Sequence, residues 1–532
     1  MSRLIVRQSS YRHTFGTAAK REDQYDNIKI SASAWDSNLV SASSKYLAVN
    51  WQASGGGAFL VTPLDKTGKL PDLFPLCRAH TAAVLDTHWS PFDDSLVASV
   101  GEDGKLAVTQ VDEQLLRDAW SGDHKDLPDL QPLWSKSAHG RKAGHVRFHP
   151  TASGVLATAS NDVKIWDLEA QKATLNGDAH ADMVQSIDWS YTGDVFATTC
   201  KDRKLRLFDP RTGSAAITVV DSHLGVKGSR VAFLGSLDRI VTTGFSKTSD
   251  RQVFLWDSRD LQKGPIKQMQ IDQSSGMIMP FFSEANNVLF LAGKGDGNVR
   301  MYELENDDLF YLSDYSSPQP QRGMCFAPSR SVNVSETEIA RAYKAVGNCI
   351  EPISFKVPRK SESFQADLYP PVPSDQPALS AADWFGGKSA SPILVNLESG
   401  EKTTSATPVK AYKPSPPPAA TPAPAAAAAP SPAPIPAPEL TKAPSPPAAS
   451  TPAREPSPPP APKAAAPVSA PEPALAPASF SHGTSANGSS DNEGEVKGLK
   501  EEVKSLKAEL SEKDAHIREL ELKLERVKSA IA

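Results

Sequence analysis

Ile165-Trp166-Asp167, Leu207-Phe208-Asp209, Leu255-Trp256-Asp257 and Met301-Tyr302-Glu303 repeat one phrase: an apolar residue, an aromatic residue, an acid. Their aromatic positions lie 42, 48 and 46 residues apart. That period is close to the roughly 40 to 45 residues of one four-stranded propeller blade, so the chain reads as a repeat protein. An aspartate recurs six residues before the aromatic, at Asp202, Asp250 and Asp296, and Asp103 keeps that spacing to Thr109 where the aromatic is lost. A carboxylate there accepts hydrogen bonds from the backbone and side chains of a tight inter-strand turn. Asp162 stands only four residues before Trp166, which predicts a tighter or differently bonded turn in that repeat.

Working outward, each repeat opens with a strand that runs into a polar turn: Val84 to Trp89, His145 to Phe148, Val184 to Trp189. His80, His139 and His180 precede such strands and are read as buried, hydrogen-bonded histidines rather than ligands or bases. One further blade falls at residues 28–63, with strands around Ala34-Trp35, Tyr46 to Trp51 and Ala58 to Val61, and a degenerate last one at about 308–357, giving seven. Ser335-Glu336-Thr337-Glu338 ahead of Ile339 to Tyr343 predicts a capped short helix inside that last blade. A ring must cover its final edge, and Leu4-Ile5-Val6 is the strand predicted to do so.

Composition divides the 532-residue chain. Of its 45 prolines, 25 lie between Pro408 and Pro477 amid Ala, Ser, Thr and Lys. Such a stretch cannot bury enough apolar area to offset the entropy of ordering, so it is read as a disordered linker. Three regions follow: 1–400, a propeller with a C-terminal extension packed on it; 401–493, the Pro/Ala/Ser-rich linker; and 494–532, a helix. The formal net charge of -5 argues against a general nucleic-acid binder and leaves any electrostatic site local. The start, Met1 to Ser10, lacks the apolar run of a signal peptide, and no run approaches the roughly 20 residues that cross a bilayer, so the chain is expected in the cytoplasm. Cys77, Cys200, Cys325 and Cys349 are widely separated, without a metal-ligand spacing, and are read as reduced core residues.

The terminal helix carries apolar residues in alternating steps of three and four: Val496, Leu499, Val503, Leu506, Leu510, then Ile517, Leu520, Leu524, Val527 and Ile531. This heptad pattern predicts an α-helical coiled coil that makes the chain a homo-oligomer. Lys513 falls on a core position, costing stability and selecting register. The strand number stays open between trimer and dimer. His516-Ile517-Arg518-Glu519-Leu520-Glu521 fits a trimer pattern except that His516 stands where an arginine is usual.

Catalytic and cofactor motifs are weak. Gly386-Gly387-Lys388-Ser389 has the end of a phosphate loop, but the required first glycine falls at Ala382 and no strand precedes it. No nucleophile elbow and no metal-spaced His/Asp cluster is present in the sequence. The chain is therefore read as a non-enzymatic scaffold without a cofactor or metal.

Three stretches carry a resemblance: Val6 to Gly16 (VRQSSYRHTFG), Ala53 to Val61 (ASGGGAFLV), and Phe364 to Pro371 (FQADLYPP) followed by Pro377 to Trp384 (PALSAADW). Together they resemble the coronin family over roughly residues 1–400, and the Ala/Pro linker resembles a fungal elaboration of it. The resemblance implies a protein of the cytoplasm, the cytoskeleton and cortical actin structures. It implies binding to filamentous actin through the propeller, an influence on the branching complex built on actin-related proteins, and a link to cofilin-dependent turnover. The residues are compatible. Arg7, Arg12, Lys20, Arg21 and Lys29 form a local basic excess that suits an acidic filament. Lys29 is the preferred contact, where the resemblance places a basic residue entering the first blade. The competing reading is a general WD-repeat adaptor in trafficking or ubiquitin ligation, in which that basic cluster is incidental.

Overall fold

The computed structural model describes residues 7–404 apart from 123–126, 179 and 362. The coiled-coil positions Val496 to Ile531, Lys513, most of the linker and Leu4-Ile5-Val6 lie outside those residues. Among the described residues seven sheets follow one another, antiparallel apart from the short pairing of Tyr25–Asp26 with Gly68–Lys69. Six have four strands, the seventh is completed from the N-terminus, and a small three-stranded sheet belongs to the C-terminal extension.

The opening strands fall where the polar turns place them, at Val84–Trp89, His145–Phe148 and Val184–Trp189. The repeated aromatic-acid phrase ends the third strand of its blade, as in Val163–Asp167 and Arg251–Asp257. Alternation decides its burial: Ile165 and Leu255 face one inter-blade space while Trp166 and Trp256 face the next. Each apolar cluster thus draws on two neighbouring sheets, and the core is a series of wedges between blades.

Histidine and turn chemistry lock the blades internally. His80 bonds Asp103 (3.0 Å) and Ser99 (2.9 Å). His139 bonds Asp162 (2.8 Å) and Thr158 (2.8 Å), and Trp166 donates to the same Thr158 hydroxyl (2.9 Å). The short spacing of Asp162 therefore gives a tighter turn, with Ser160 N–H donating to the Asp162 carbonyl, while the carboxylate keeps its histidine. His180 reaches Thr198 (2.9 Å), and its Asp202 turns to Arg206 instead. His223 extends the series into the fifth blade, bonding Thr242 (3.0 Å) beside Trp256. At the turn of the sixth blade an arginine of the fifth blade takes the histidine's place: buried Arg251 bridges Asp272 (2.5 Å) of its own blade and Asp296 (2.6 Å) of the sixth. Burial opposes the charge on Asp272, yet the Arg251 guanidinium holds its carboxyl down at about 2.

Three expectations about blade elements are corrected. The first strand of blade 1 is Val40–Ala42, not Ala34-Trp35, and residues 31–38 form an irregular segment instead. Blade 7 starts at Gly323–Phe326, because Asp308–Ser316 supplies the fourth strand of blade 6. The helix predicted around Ile339 is the strand Glu338–Val346, after a single turn at Val334–Glu336. It pairs on both sides, and the buried Glu338 carboxylate accepts from Asn333 N–H (2.7 Å) and Arg341 (2.9 Å), so tertiary pairing overrides the local cap signal. Among the described residues, Phe15–Ala18 and Tyr25–Asp26 both pair with Cys349–Lys356 and close the ring from the N-terminal side, while the predicted strand Leu4-Ile5-Val6 lies outside those residues. Cys77, Cys200 and Cys325 are buried free thiols, whereas Cys349 is half-buried.

In the stretch Ala53 to Val61 only some glycines are constrained. A Cβ on Gly57 would stand 1.8 Å from the Ala82 carbonyl oxygen, and Gly56 has φ +64°, while nothing crowds Gly55. The other family-like stretches meet each other. Ser10 donates to the Asp367 carboxylate (2.9 Å), Tyr11 to its carbonyl (3.3 Å), and Arg359 bonds the same carboxylate (2.8 Å). From there the extension crosses to blades 3 and 4. Ala378 N–H donates to the Thr151 carbonyl (3.0 Å), Ser380 caps the helix Ala381–Phe385, and Trp384 is fully buried against His149 and Trp189. Lys388 of the failed phosphate-loop match pairs with Asp383 (2.6 Å), and Ser389 with Asp194 and Arg211.

Candidate interaction face

The turns that carry the histidines and aspartates gather at one end of the ring, here the upper face. The N-terminal segment climbs toward it along blade 7. Phe15 sits opposite Lys356 and Tyr25 opposite Ile350, so residues before 15 lie at the lower edge and residues after 26 at the upper one. Ile28 N–H then donates to the Asn348 carbonyl (2.8 Å), and Gln52 N–H to the Lys29 carbonyl (2.7 Å), fastening the chain between blades 7 and 1.

That path separates the five predicted cations. Lys29 lies on the upper face. Its neighbours Ile28 and Ile30 are 0% and 5% exposed, so extended backbone aims the lysine outward. Among the described residues Lys29 has no ion pair. Lys20 and Arg21 are exposed on the rim, in the turn between the two closing segments. Arg12 is exposed at the lower edge. Arg7 is bound up there: it pairs with Glu303 and Glu305 and lies 4.5 Å from the centre of the Phe310 ring. The five do not make one patch. Their sequence proximity is undone because the closing segment spans the full height of a blade.

Residues 31–38, which follow Lys29, bridge the upper mouth of the ring. Asp36 takes a bidentate bond from Arg230 (2.9 and 2.9 Å) and an ion pair from Lys294 (2.7 Å). Lys294 also donates to the Ser37 carbonyl, Arg230 to Asn38 (2.5 Å), and Trp35 to the Gly144 carbonyl (3.0 Å), with Lys142 lying 4.4 Å above the Trp35 ring. Arg322 donates to the Ser31 carbonyl (2.5 Å). One loop of blade 1 is thereby tied to blades 3, 5, 6 and 7. Burial works against ionised Asp36, but Arg230 and Lys294 hold its carboxyl far below the usual range. Burial in turn lowers Lys294, with Asp36 opposing. Below this bridge a central cavity of about 470 Å³ is lined by Asp188, Glu284, Phe281 and Phe326 among others. Neither Asp36 nor its partners was singled out in the sequence, because their spacing, 194 and 258 residues, carries no local signal.

Among the described residues no group of three or more potential metal ligands converges, and no helix is long and apolar enough to cross a membrane. What the site offers is surface: a cation on a fastened loop over a rigid ring. The class thus defined is a WD-repeat β-propeller.

Comparison with known proteins narrows that class. Residues 4–69 match a family described only as a domain of unknown function (DUF1899), residues 170–209 match the WD domain, G-beta repeat, and residues 350–392 match a type of WD40 repeat. A coronin-like protein of Schizosaccharomyces pombe is 48% identical over 422 residues, covering 76% of this chain and 68% of that protein. A coronin-like protein of Saccharomyces cerevisiae is 46% identical over 422 residues, covering 78% of this chain; the match spans 64% of the relative, just under two thirds of its length. The crystal structure of the WD40 domain from Toxoplasma gondii coronin superposes with a TM-score of 0.66 at 28% identity, covering 74% of this chain and 97% of that one. The chain belongs to the coronin family.

Proposed function

We propose that this protein binds actin filaments through the upper face around Lys29 and works as a multivalent organiser of the cortical actin cytoskeleton in the cytoplasm. The observation that carries the reading is Lys29: an exposed cation, fixed by the two buried isoleucines beside it, with no ion pair among the described residues, in a chain of this family. A filament with an acidic surface attracts such a group at long range and orients the encounter. Lys20 and Arg21 on the neighbouring rim extend the same field. Arg7 contributes to holding the clasp rather than to the partner, since two carboxylates already offset its charge.

The heptads from Val496 to Ile531 supply the second half of the proposal. As a coiled-coil trimer or dimer they would join several propellers, so that individually weak contacts gain from effective concentration and neighbouring filaments are bundled or cross-linked. The linker from 401 to 493 sets the reach between propeller and coil. Contacts of the tail with the actin-related-protein branching complex, and cooperation with cofilin in turnover, complete the reading.

The test is co-sedimentation of the full-length chain with actin filaments at low and physiological salt, beside Lys29→Glu and a chain ending at Asn492. Salt-sensitive pelleting, weakened by either change, is the expected result. A full-length protein that stays in the supernatant at both salts would replace this reading with that of a general WD-repeat adaptor.

A further inference from the structure

Beside Lys29 the upper face is not flat. A groove of about 750 Å³ opens there between Lys29, Trp51 and the loop Leu70 to Leu76, with Leu73 and Phe74 on its far wall. Leu73 is 72% exposed, a large apolar side chain displayed to solvent. The loop that displays it is fastened at both ends. Leu70 and Leu76 are buried, Leu70 N–H donates to the Asp26 carbonyl (3.0 Å), and Asn27 Nδ2 donates to the Leu70 carbonyl and the Asp72 carboxylate (2.9 Å each). At the other end Leu130 N–H donates to the Leu76 carbonyl (3.0 Å), and Phe74 packs edge-on against Trp120. Pro71 and Pro75 restrict the backbone between. An apolar group held in place this way loses little freedom when it is covered, the condition under which its burial adds affinity.

The charges of the groove are unequal. Asp72 is bonded to Asn27 and faces Lys69 at 3.8 Å, and Asp129 is held by Arg78 (2.7 Å) and Leu76 N–H (2.9 Å). Lys29 is left without an ion pair among the described residues, so an occupant meets one uncompensated positive charge next to an apolar wall. We infer that this groove is the second element of the filament contact, and that it takes an apolar side chain of the actin surface flanked by a carboxylate that pairs with Lys29. The inference rests on the actin reading above and adds what that reading lacks: a contact that is not electrostatic, which would persist when salt screens the steering field. Such an anchor, an apolar group in a pocket with a charge at its rim, is the arrangement in which a few residues dominate binding.

The experiment compares full-length wild type, Leu73→Ser, Leu73→Asp and Lys29→Glu in co-sedimentation with actin filaments at low and physiological salt, with thermal melts as a folding control. Leu73 is exposed, so its variants should melt as wild type does. Leu73→Ser is expected to weaken binding about tenfold to a hundredfold at both salts, the scale of one buried leucine, without changing the salt dependence, because no charge is altered. Leu73→Asp should weaken it further by placing a carboxylate where the partner's must sit. Lys29→Glu should weaken binding and flatten its salt dependence. If Leu73→Ser binds like wild type while Lys29→Glu fails, the groove is refuted and the actin reading stands. If Leu73→Ser fails while Lys29→Glu binds normally, the paired chemistry is refuted. Wild type that does not pellet overturns both.

Discussion

Replacing Asp36 by asparagine tests whether the bridge over the ring is an electrostatic latch. The change keeps shape and removes one charge, so no cavity complicates it. Arg230 and Lys294 both lie within 2.9 Å of this carboxylate and would then face each other without a counter-ion. Two unit charges about 5 Å apart at an effective dielectric near 20 repel by roughly 3 kcal/mol, in line with the ~3–5 kcal/mol lost when one partner of a buried pair is removed. The Asp36 side chain keeps 30% of its exposure, so about 2–3 kcal/mol is expected. The deficit should also depend on pH with a definite sign. Lys294 already has a lowered pKa through burial, and Asp36 is what opposes that; without it the ammonium loses its proton more readily in the folded state than in the unfolded. The unfolded chain then binds more protons, so stability of the variant rises with pH and its gap to wild type narrows between pH 7 and 10. The assay is denaturant unfolding of both proteins at pH 7 and 9.5. A gap below 1 kcal/mol at pH 7, or one that stays constant with pH, would refute the latch. Weakened pelleting with actin should accompany the loss, since Lys29 lies two residues before the bridge.

Trp384→Ala should cost ~3–5 kcal/mol locally, by removing a fully buried ring from between His149 and Trp189; limited proteolysis would reveal a released extension, and unchanged resistance would speak against its anchoring role. Gly57→Ala should destabilise the first blade strongly while Gly55→Ala changes the melting temperature little, because only the first places a Cβ against the Ala82 carbonyl; equal effects would contradict the close approach. Acid should destabilise the propeller between pH 6.5 and 5. Burial lowers His88 and His149 to about 3 and His180 and His223 to about 4, so the unfolded chain binds more protons there, each proton contributing ~1.4 kcal/mol per pH unit. Asp188 and Glu284, pushed up by burial to about 6 and about 7, act with the opposite sign, so Glu284→Gln should steepen the acid dependence seen in melts from pH 5 to 7.

The period of the aromatic-acid phrase, the turn aspartates and the histidines were legible because each acts within a single blade, over fewer than thirty residues. His139 finds Asp162 by folding one sheet, whatever the rest of the ring does. Lys29 was picked out by the family resemblance, and the structure adds that Ile28 and Ile30 beside it are buried while it faces water. The strand Glu338–Val346 was misread as a helix because a local cap signal there is outweighed by pairing on both edges. Position on the ring was not legible at all. Arg7 and Lys29 are neighbours in sequence and stand at opposite edges because the closing segment climbs a blade between them, and that follows from its register with Cys349–Lys356.

The sequence by itself determined the repeat and the number of blades, and the family resemblance it carries pointed to Lys29. Only the tertiary structure decided which N-terminal residues close the ring, how Asp36 reaches Arg230 and Lys294, how the extension runs to blades 3 and 4, and that a groove with Leu73 on its wall opens beside Lys29. The physical reason is range. Turn, strand and heptad patterns are written in contacts a few residues apart, whereas closing a ring brings together groups about 200 to 340 residues apart, whose pairing depends on the geometry of the whole circle.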